Sequence, residues 1–419
     1  MRHRLVLAAL LSLYCLARPP IHSSLAQSPE SEPPLLIETP PPAPEASPAP
    51  PQQDEHQRPE LLPREREDAV MMLGELRGAV RVSPDDAGDR LKLAQGLYRI
   101  GDLDAALDEC RIAIKLEPES AAAHLQLGVT LMAKQDGRAA AAALMDAILL
   151  DPALTQAHYS LGSVQYSLGN LSAAIQSYRR ALELQPHFPD ARYRLALVLK
   201  LTNRHQEAAR FMEEAAVGGI PQAQFFTGNA YRNGQGVEKN PALAIRWWTM
   251  ALEFGHQRAA DSLSQLRRQA LSPEQPERRR KEALEAFRRY REALWNDYPD
   301  AAGHDPGDSL GIALLNNSES SNGVTALFHE AFALSEPAHE ELARLYESGL
   351  DSRLAQFDTR ILTCFETTAA DGFIPAKKAL ARIYGKGLGV TVDMRKAKAM
   401  LKGLPKRETT AILDEIVGR

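Results

Sequence analysis

The chain has 419 residues and a net charge of −5, with 44% hydrophobic residues but only 6% aromatic ones. That length allows two or three ordinary domains or one extended array. Apolar mass drawn mainly from Ala and Leu suits closely packed helices better than a sheet, and the acidic balance gives no reason to expect nucleic acid as a partner.

Residues 1–26 read as a secretory signal. Arg2, His3 and Arg4 make a positive start, and Leu5 to Ala17 an apolar stretch shorter than the ~20 residues a bilayer crossing needs. Ser24-Leu25-Ala26 offers the small residues a signal peptidase recognises, with Cys15-Leu16-Ala17 as a second site. Ser12-Leu13-Tyr14 lacks the small residues that precede a lipidated cysteine. The expectation is a periplasmic or secreted protein of the cell envelope, with no transmembrane segment after cleavage. Residues 27–63 hold 12 prolines among 37 residues and read as an extended, disordered linker. Cys110 and Cys364 then remain, 254 residues apart in a quasi-one-dimensional chain. They are expected to be buried and unpaired, and two cysteines cannot frame a metal site.

Further along, the prolines become periodic. Pro84, Pro118, Pro152 and Pro186 are 34 residues apart. Leu93-Ala94, Leu127-Gly128, Leu161-Gly162 and Leu195-Ala196 recur in step with them as paired large and small sites. Ala106, Ala140, Ala174 and Ala208 follow, then Ala113, Ala147, Ala181 and Ala215. Small residues at these places let two antiparallel helices approach closely. Gly101 and Gly169 mark the turns between them. Four registers over residues 87–222 resemble four tetratricopeptide repeats, and residues 64–86 a lone capping helix. The implied fold class is all-α, a right-handed α-solenoid of helix-turn-helix repeats.

The period then lengthens. Gly219, Ala223, Tyr231, Gly234, Gly236, Val237 and Ala244 recur at a constant offset of 153 as Gly372, Ala376, Tyr384, Gly387, Gly389, Val390 and Ala397. This pattern resembles the Sel-one-like repeat, a relative with a glycine-bearing turn inside the hairpin. Residues 216–266 hold the first copy. Residues 335–404 hold a degenerate copy, with Ala338, Tyr346 and Gly349 but Asp351 in place of the second turn glycine, and then a full one. Residues 267–334 fit neither repeat: Glu277 to Trp295 reads as an amphipathic basic helix with Leu284, Phe287 and Leu294 inward, followed by an irregular connector. Residues 405–419 are expected to form a C-terminal capping helix.

No motif for catalysis emerges, and no enzyme is expected. Gly385-Lys386-Gly387 lacks the other residues of a phosphate-binding loop, so its glycines read as turn formers. His124 and His158, 34 residues apart, have no third ligand beside them and read as satisfied, partly buried histidines. Neither cofactor nor metal is expected. In Arg278-Arg279-Arg280-Lys281, with Arg288, Arg289 and Arg291, the interleaved Glu277, Glu282, Glu285 and Glu292 should neutralise much of the charge.

The resemblance implies that the first helix of each repeat lines a concave wall. The inward positions are Gln95, Tyr98 and Arg99, then Leu125, Val129 and Met132, then Tyr159, Ser163 and Tyr166, then Tyr193, Leu197 and Lys200. Four of the 11 tyrosines lie on this wall, where they either bind a partner or fill gaps between helices. The wall lacks the lysine, arginine and asparagine set with which some tetratricopeptide domains hold chaperone C-termini. A protein or peptide partner in the groove of a non-enzymatic envelope scaffold is the leading reading. One alternative is a polysaccharide-binding protein using Trp247, Trp248 and the basic helix; another is an enzyme subunit with its site in residues 267–334.

Overall fold

A computed structural model describes residues 63–298, 309–316 and 320–418; the expected leader and linker lie outside them, except for Pro63. Among the described residues there are helices and turns but no strand, only an isolated bridge between Leu350 and Leu354. The chain is an all-α solenoid.

The capping helix α1 (Pro63–Val82) precedes four hairpins: α2 (Ala87–Ile100) with α3 (Leu103–Leu116), α4 (Ala121–Ala133) with α5 (Gly137–Leu150), α6 (Thr155–Ser167) with α7 (Leu171–Leu184), and α8 (Pro189–Leu201) with α9 (His205–Val217). The periodic alanines are buried throughout. Gly162 shows why the small site matters: a Cβ there would lie 2.8 Å from the Tyr178 ring, so only glycine leaves room for it. The turn within each hairpin needs one left-handed residue, and the four registers supply Gly101, Gln135, Gly169 and Asn203, with φ of 98°, 63°, 78° and 58°. Each periodic proline lies in the turn before a first helix, and the carbonyls of the first three are used. His124 Nε2 reaches the Pro118 carbonyl at 3.2 Å and His158 Nε2 that of Pro152 at 3.0 Å, as Arg90 Nε does that of Pro84 at 3.1 Å. The two histidines are turn latches.

Each of these helices packs on its neighbours in sequence, and α2, α4, α6 and α8 also touch one another in turn. The first helices therefore form one continuous wall.

The hairpin pattern continues through α10 (Pro221–Asn233) with α11 (Pro241–Glu253), α12 (Gln257–Leu271) with α13 (Glu277–Trp295), and α14 (Leu310–Asn316) with α15 (Ser320–Phe332). Then come α16 (Glu336–Ser348) with α17 (Thr359–Ala370), α18 (Ile374–Lys386) with α19 (Met394–Met400), and the final α20 (Lys406–Val417). Three of these hairpins carry the same backbone clasp at 2.8 Å: Asn240 N–H donates to the Tyr231 carbonyl, Phe357 to Tyr346 and Asp393 to Tyr384. In the middle copy the loop is two residues longer, and Asp351 takes a left-handed φ of 43°. The tyrosine hydroxyls of the two full copies also match: Tyr231 donates to Glu213 at 2.9 Å and Tyr384 to Glu366 at 2.6 Å.

Residues 257–332 contribute buried side chains to the largest core of the molecule, which runs from Phe225 to Ile383. On α13 the inward stripe is Ala283, Phe287, Tyr290 and Leu294. Leu284 was expected inward but is exposed, because the face centred on Phe287 and Tyr290 turns it outward. Inside this region lies a buried polar cluster. Arg267, 1% exposed, donates to Asp371 at 2.7 Å across 104 residues of sequence and also to the Phe332 carbonyl. Ser264 donates to the same aspartate. His339 is buried beside it, with Nδ1 2.8 Å from the Ser335 carbonyl and Nε2 3.1 Å from the Thr368 hydroxyl; burial lowers its pKa to about 4. Cys110 on α3 and Cys364 on α17 are free and buried, and burial pushes both thiols up to about 12.

Candidate partner-binding site

The wall presents the twelve expected residues to different degrees. Gln95, Arg99 and Lys200 are exposed, while Tyr98, Leu125, Val129, Met132, Tyr159, Ser163, Tyr166 and Leu197 are half-buried. Tyr193 is only 7% exposed and packs among Ala196, Met212 and Trp247, so it offers little surface. Tyr159 lies between helices, its ring 4.9 Å from that of Phe188 and 5.9 Å from that of Tyr178. Ser163 accepts the Tyr178 hydroxyl at 3.0 Å and donates to the Tyr159 carbonyl at 3.2 Å, which uses much of its capacity within the fold. The third unit thus supplies contact area more than hydrogen bonds.

A cavity of about 350 Å³ opens where the period changes, between α8, α9 and α10. Its apolar lining is Ala196, Ala208, Ala209, Met212, Phe226 and Ala230, and its polar lining is Lys200, His205, Asn229, Asn233 and Gln235. None of these five side chains makes a hydrogen bond or ion pair among the described residues; the Lys200 ammonium stands 5.4 Å from the centre of the Phe226 ring. The loop after α10 shapes one side. Gly236 has φ 75°, and a Cβ on it would strike the His205 carbonyl, so the loop lies directly against the start of α9.

Of the expected wall residues the cavity takes only Lys200. The rest were missed because the wall was counted by the 34-residue period, which ends at α8. The signal was present: Gly228 of α10 faces Trp248 as Gly162 faces Tyr178, which puts Asn229 in the register of Leu197. The first Sel-one-like helix adds a polar extension to an apolar and aromatic wall.

Family models match as "Tetratricopeptide repeat" over residues 91–158, "TPR repeat" over 163–202 and "Sel1 repeat" over 221–256 and 375–402. The chain is a tetratricopeptide-repeat protein with Sel1-like repeats. Among solved structures it is similar to MamA, with 25% identity, TM-score 0.35, and coverage of 39% of this chain and 95% of that one. It is similar also to YrrB, described as a TPR protein with an unusual peptide-binding site, with 21% identity, TM-score 0.36 and coverage of 45% and 96%. A third is c5321, a protective antigen of uropathogenic Escherichia coli strains with an SLR fold, with 19% identity, TM-score 0.39 and coverage of 82% of each chain. No curated protein sequence matches the chain. Tetratricopeptide and Sel1 repeats typically build non-catalytic scaffolds, and tetratricopeptide repeats bind protein or peptide partners.

In this tetratricopeptide–Sel1 protein one feature of the polysaccharide reading is corrected. Trp247 and Trp248, expected to meet sugar, are 7% and 3% exposed; Trp248 fills the space beside Gly228, and Trp247 packs against α8 and α9 residues. The basic helix α13 is laced with ion pairs, as its interleaved glutamates imply. Arg278 pairs with Glu282, Lys281 with Glu277, Arg289 with Glu285, and Arg288 with Glu285 and Glu292. Such pairs hold the Glu285 carboxyl well below the usual range. Among the described residues of 267–334 one carboxylate lies deep inside, that of Glu330. It accepts the Leu310 amide at 2.8 Å, the Gly311 amide at 3.1 Å and the Ser309 hydroxyl, so it caps α14 from a neighbouring helix. Among the described residues no helix is long and apolar enough to cross a membrane, and no group of three potential metal ligands converges.

Proposed function

We propose that this protein is an exported scaffold that holds an extended segment of a protein partner along the wall from α2 to α10, without chemistry. The observation that carries the reading is the cavity between α8, α9 and α10. Its apolar lining suits one aliphatic or aromatic side chain. Lys200, Asn229, Asn233 and Gln235 have donors to spare for the carbonyls or carboxylates beside it. The cavity lining holds no carboxylate, hydroxyl or thiol, which favours binding over catalysis. The half-buried Tyr98, Tyr159 and Tyr166, with Leu125, Val129, Met132 and Leu197, extend the contact N-terminally. Export rests on the leader, residues 1–26.

Selection of the purified protein against a displayed peptide library tests this reading. Selected peptides should share one large apolar residue, and Lys200→Ala/Asn229→Ala should weaken them at least tenfold. Tyr159→Ala/Tyr166→Ala should act on the flanking positions by a smaller factor. Peptides that bind both double variants as tightly as the parent would place the partner elsewhere. Fractionation of the producing cells tests export, and mature protein in the cytosol with residues 1–26 attached would refute it.

A further inference from the structure

The densest run of unneutralised charge among the described residues is not on α13. Residues 394–407 carry Arg395, Lys396, Lys398, Lys402, Lys406 and Arg407 with no acid among them, in a chain whose net charge is −5. All six are exposed, and none makes an ion pair or a side-chain hydrogen bond among the described residues. Lys396 stands over the Tyr384 ring, 5.0 Å from its centre. The carboxylates nearest in sequence or on the packed helices are already engaged. Asp393 caps α19 by accepting the Arg395 and Lys396 amides, Glu408 pairs with Lys378, and Glu415 takes Arg382 and Lys386. Glu366 accepts the Tyr384 hydroxyl. Of the acids on α20 only Asp414 has no such partner, and it lies about two turns beyond Arg407. Arg395 and Lys398, three residues apart, share one face of α19, and Lys402 follows in the turn beyond its end.

We propose that this surface docks the protein on an anionic lipid bilayer. Four of the six cations are lysines, compact hydrated charges on flexible stems, which suit a layer of mobile headgroups better than a fixed carboxylate or phosphate fork. From Gly385 to Arg419 the sequence has no Phe, Tyr or Trp, and the neighbouring Tyr384 is half-buried, its hydroxyl held by Glu366 and its ring covered by Lys396, so the surface offers no free ring to stack on bases or sugars. Val392, 65% exposed in the loop just before α19, offers a small apolar side chain to the headgroup boundary. The surface is formed by the last two helices and shares no residue with the cavity on α8–α10. It does not rest on the peptide-binding reading.

The test is sedimentation of the full-length protein with vesicles. Binding is expected to phosphatidylcholine vesicles containing phosphatidylglycerol, not to pure phosphatidylcholine, and it should fade as salt shortens the screening length. Each basic residue near such a surface is worth roughly fivefold in affinity, so Lys398→Gln/Lys402→Gln/Lys406→Gln should cost about a hundredfold. The matched α13 variant, Arg278→Gln/Arg279→Gln/Lys281→Gln, should bind as the parent does. No binding of the parent to phosphatidylglycerol vesicles would overturn the proposal, and so would equal losses in the two triple variants. Displacement from vesicles by an acidic polypeptide or polysaccharide at matched charge concentration would overturn it in favour of a soluble polyanion.

Discussion

From α2 to α9 the buried residues fall into small separate clusters, each shared by neighbouring hairpins; from Phe225 to Ile383 they form one. The first arrangement follows from a strict period: every hairpin meets only the hairpins beside it, so stability is a sum of local terms. In the second, α12 reaches past the next hairpin to α17 and to Asp371, and α15 also touches α17. The same helix–turn–helix unit therefore serves as a chain of independent links in one region and as a cooperative block in the other. What separates them is a few non-neighbour contacts and not a change of secondary structure.

Breaking the longest of those contacts should have the largest effect. Arg267→Ala leaves the buried Asp371 with only the more distant and exposed Arg268, 3.9 Å away, for a cation, at a cost of up to about 3–5 kcal/mol. Denaturant unfolding should show a destabilised C-terminal transition, while hydrogen exchange in α2–α7 stays as in the parent. Loss of protection confined to α12 would show that the block is not cooperative.

Acid should act on the same place. His339 has its pKa lowered to about 4 by burial, against an ordinary value of 6.5. Between those values the unfolded chain binds a proton that the folded one does not, so stability falls as pH drops below about 6.5 and the loss is complete near 4. The full loss is on the order of a few kcal/mol. His339→Gln should flatten that part of the C-terminal stability curve and leave α2–α9 unchanged.

The smallest effect sharpens the comparison most. Gly162→Ala and Gly228→Ala place a Cβ 2.8 Å from the Tyr178 ring and 2.5 Å from that of Trp248. Each should cost about 1–3 kcal/mol by overpacking. The costs should be similar but their spread different: exchange should rise only in the hairpins around α6 and α7 for the first, and from α10 to α18 for the second.

Much of this was written in the sequence wherever the fold repeats itself. The 34-residue spacing located the hairpins and the buried alanines. The 153-residue offset located the matched glycine turns of two Sel1-like hairpins; the glutamates that hold their tyrosines, Glu213 and Glu366, stand at the same offset but precede the first matched glycine. Non-repeating features escaped. Gln135 and Asn203 do the work of turn glycines without being glycine, so a search for glycine passes them over. Arg267 and Asp371 find each other only after five intervening helices, α13 to α17, have packed. The cavity arises where one period gives way to another, a place that neither pattern describes. For charge, the dense run on α13 drew more weight than the sparser one at 394–407, although only the second lacks acids to answer it.

The two buried thiols give this division a consequence of its own. Cys110 sits in the α2–α9 region and Cys364 in the C-terminal block, each sealed from solvent and held protonated. An alkylating reagent can reach either sulfur only after its surroundings come apart. The native chain thus carries two built-in chemical clocks, and a mass spectrum resolving the two labelled peptides would time the openings separately in one sample.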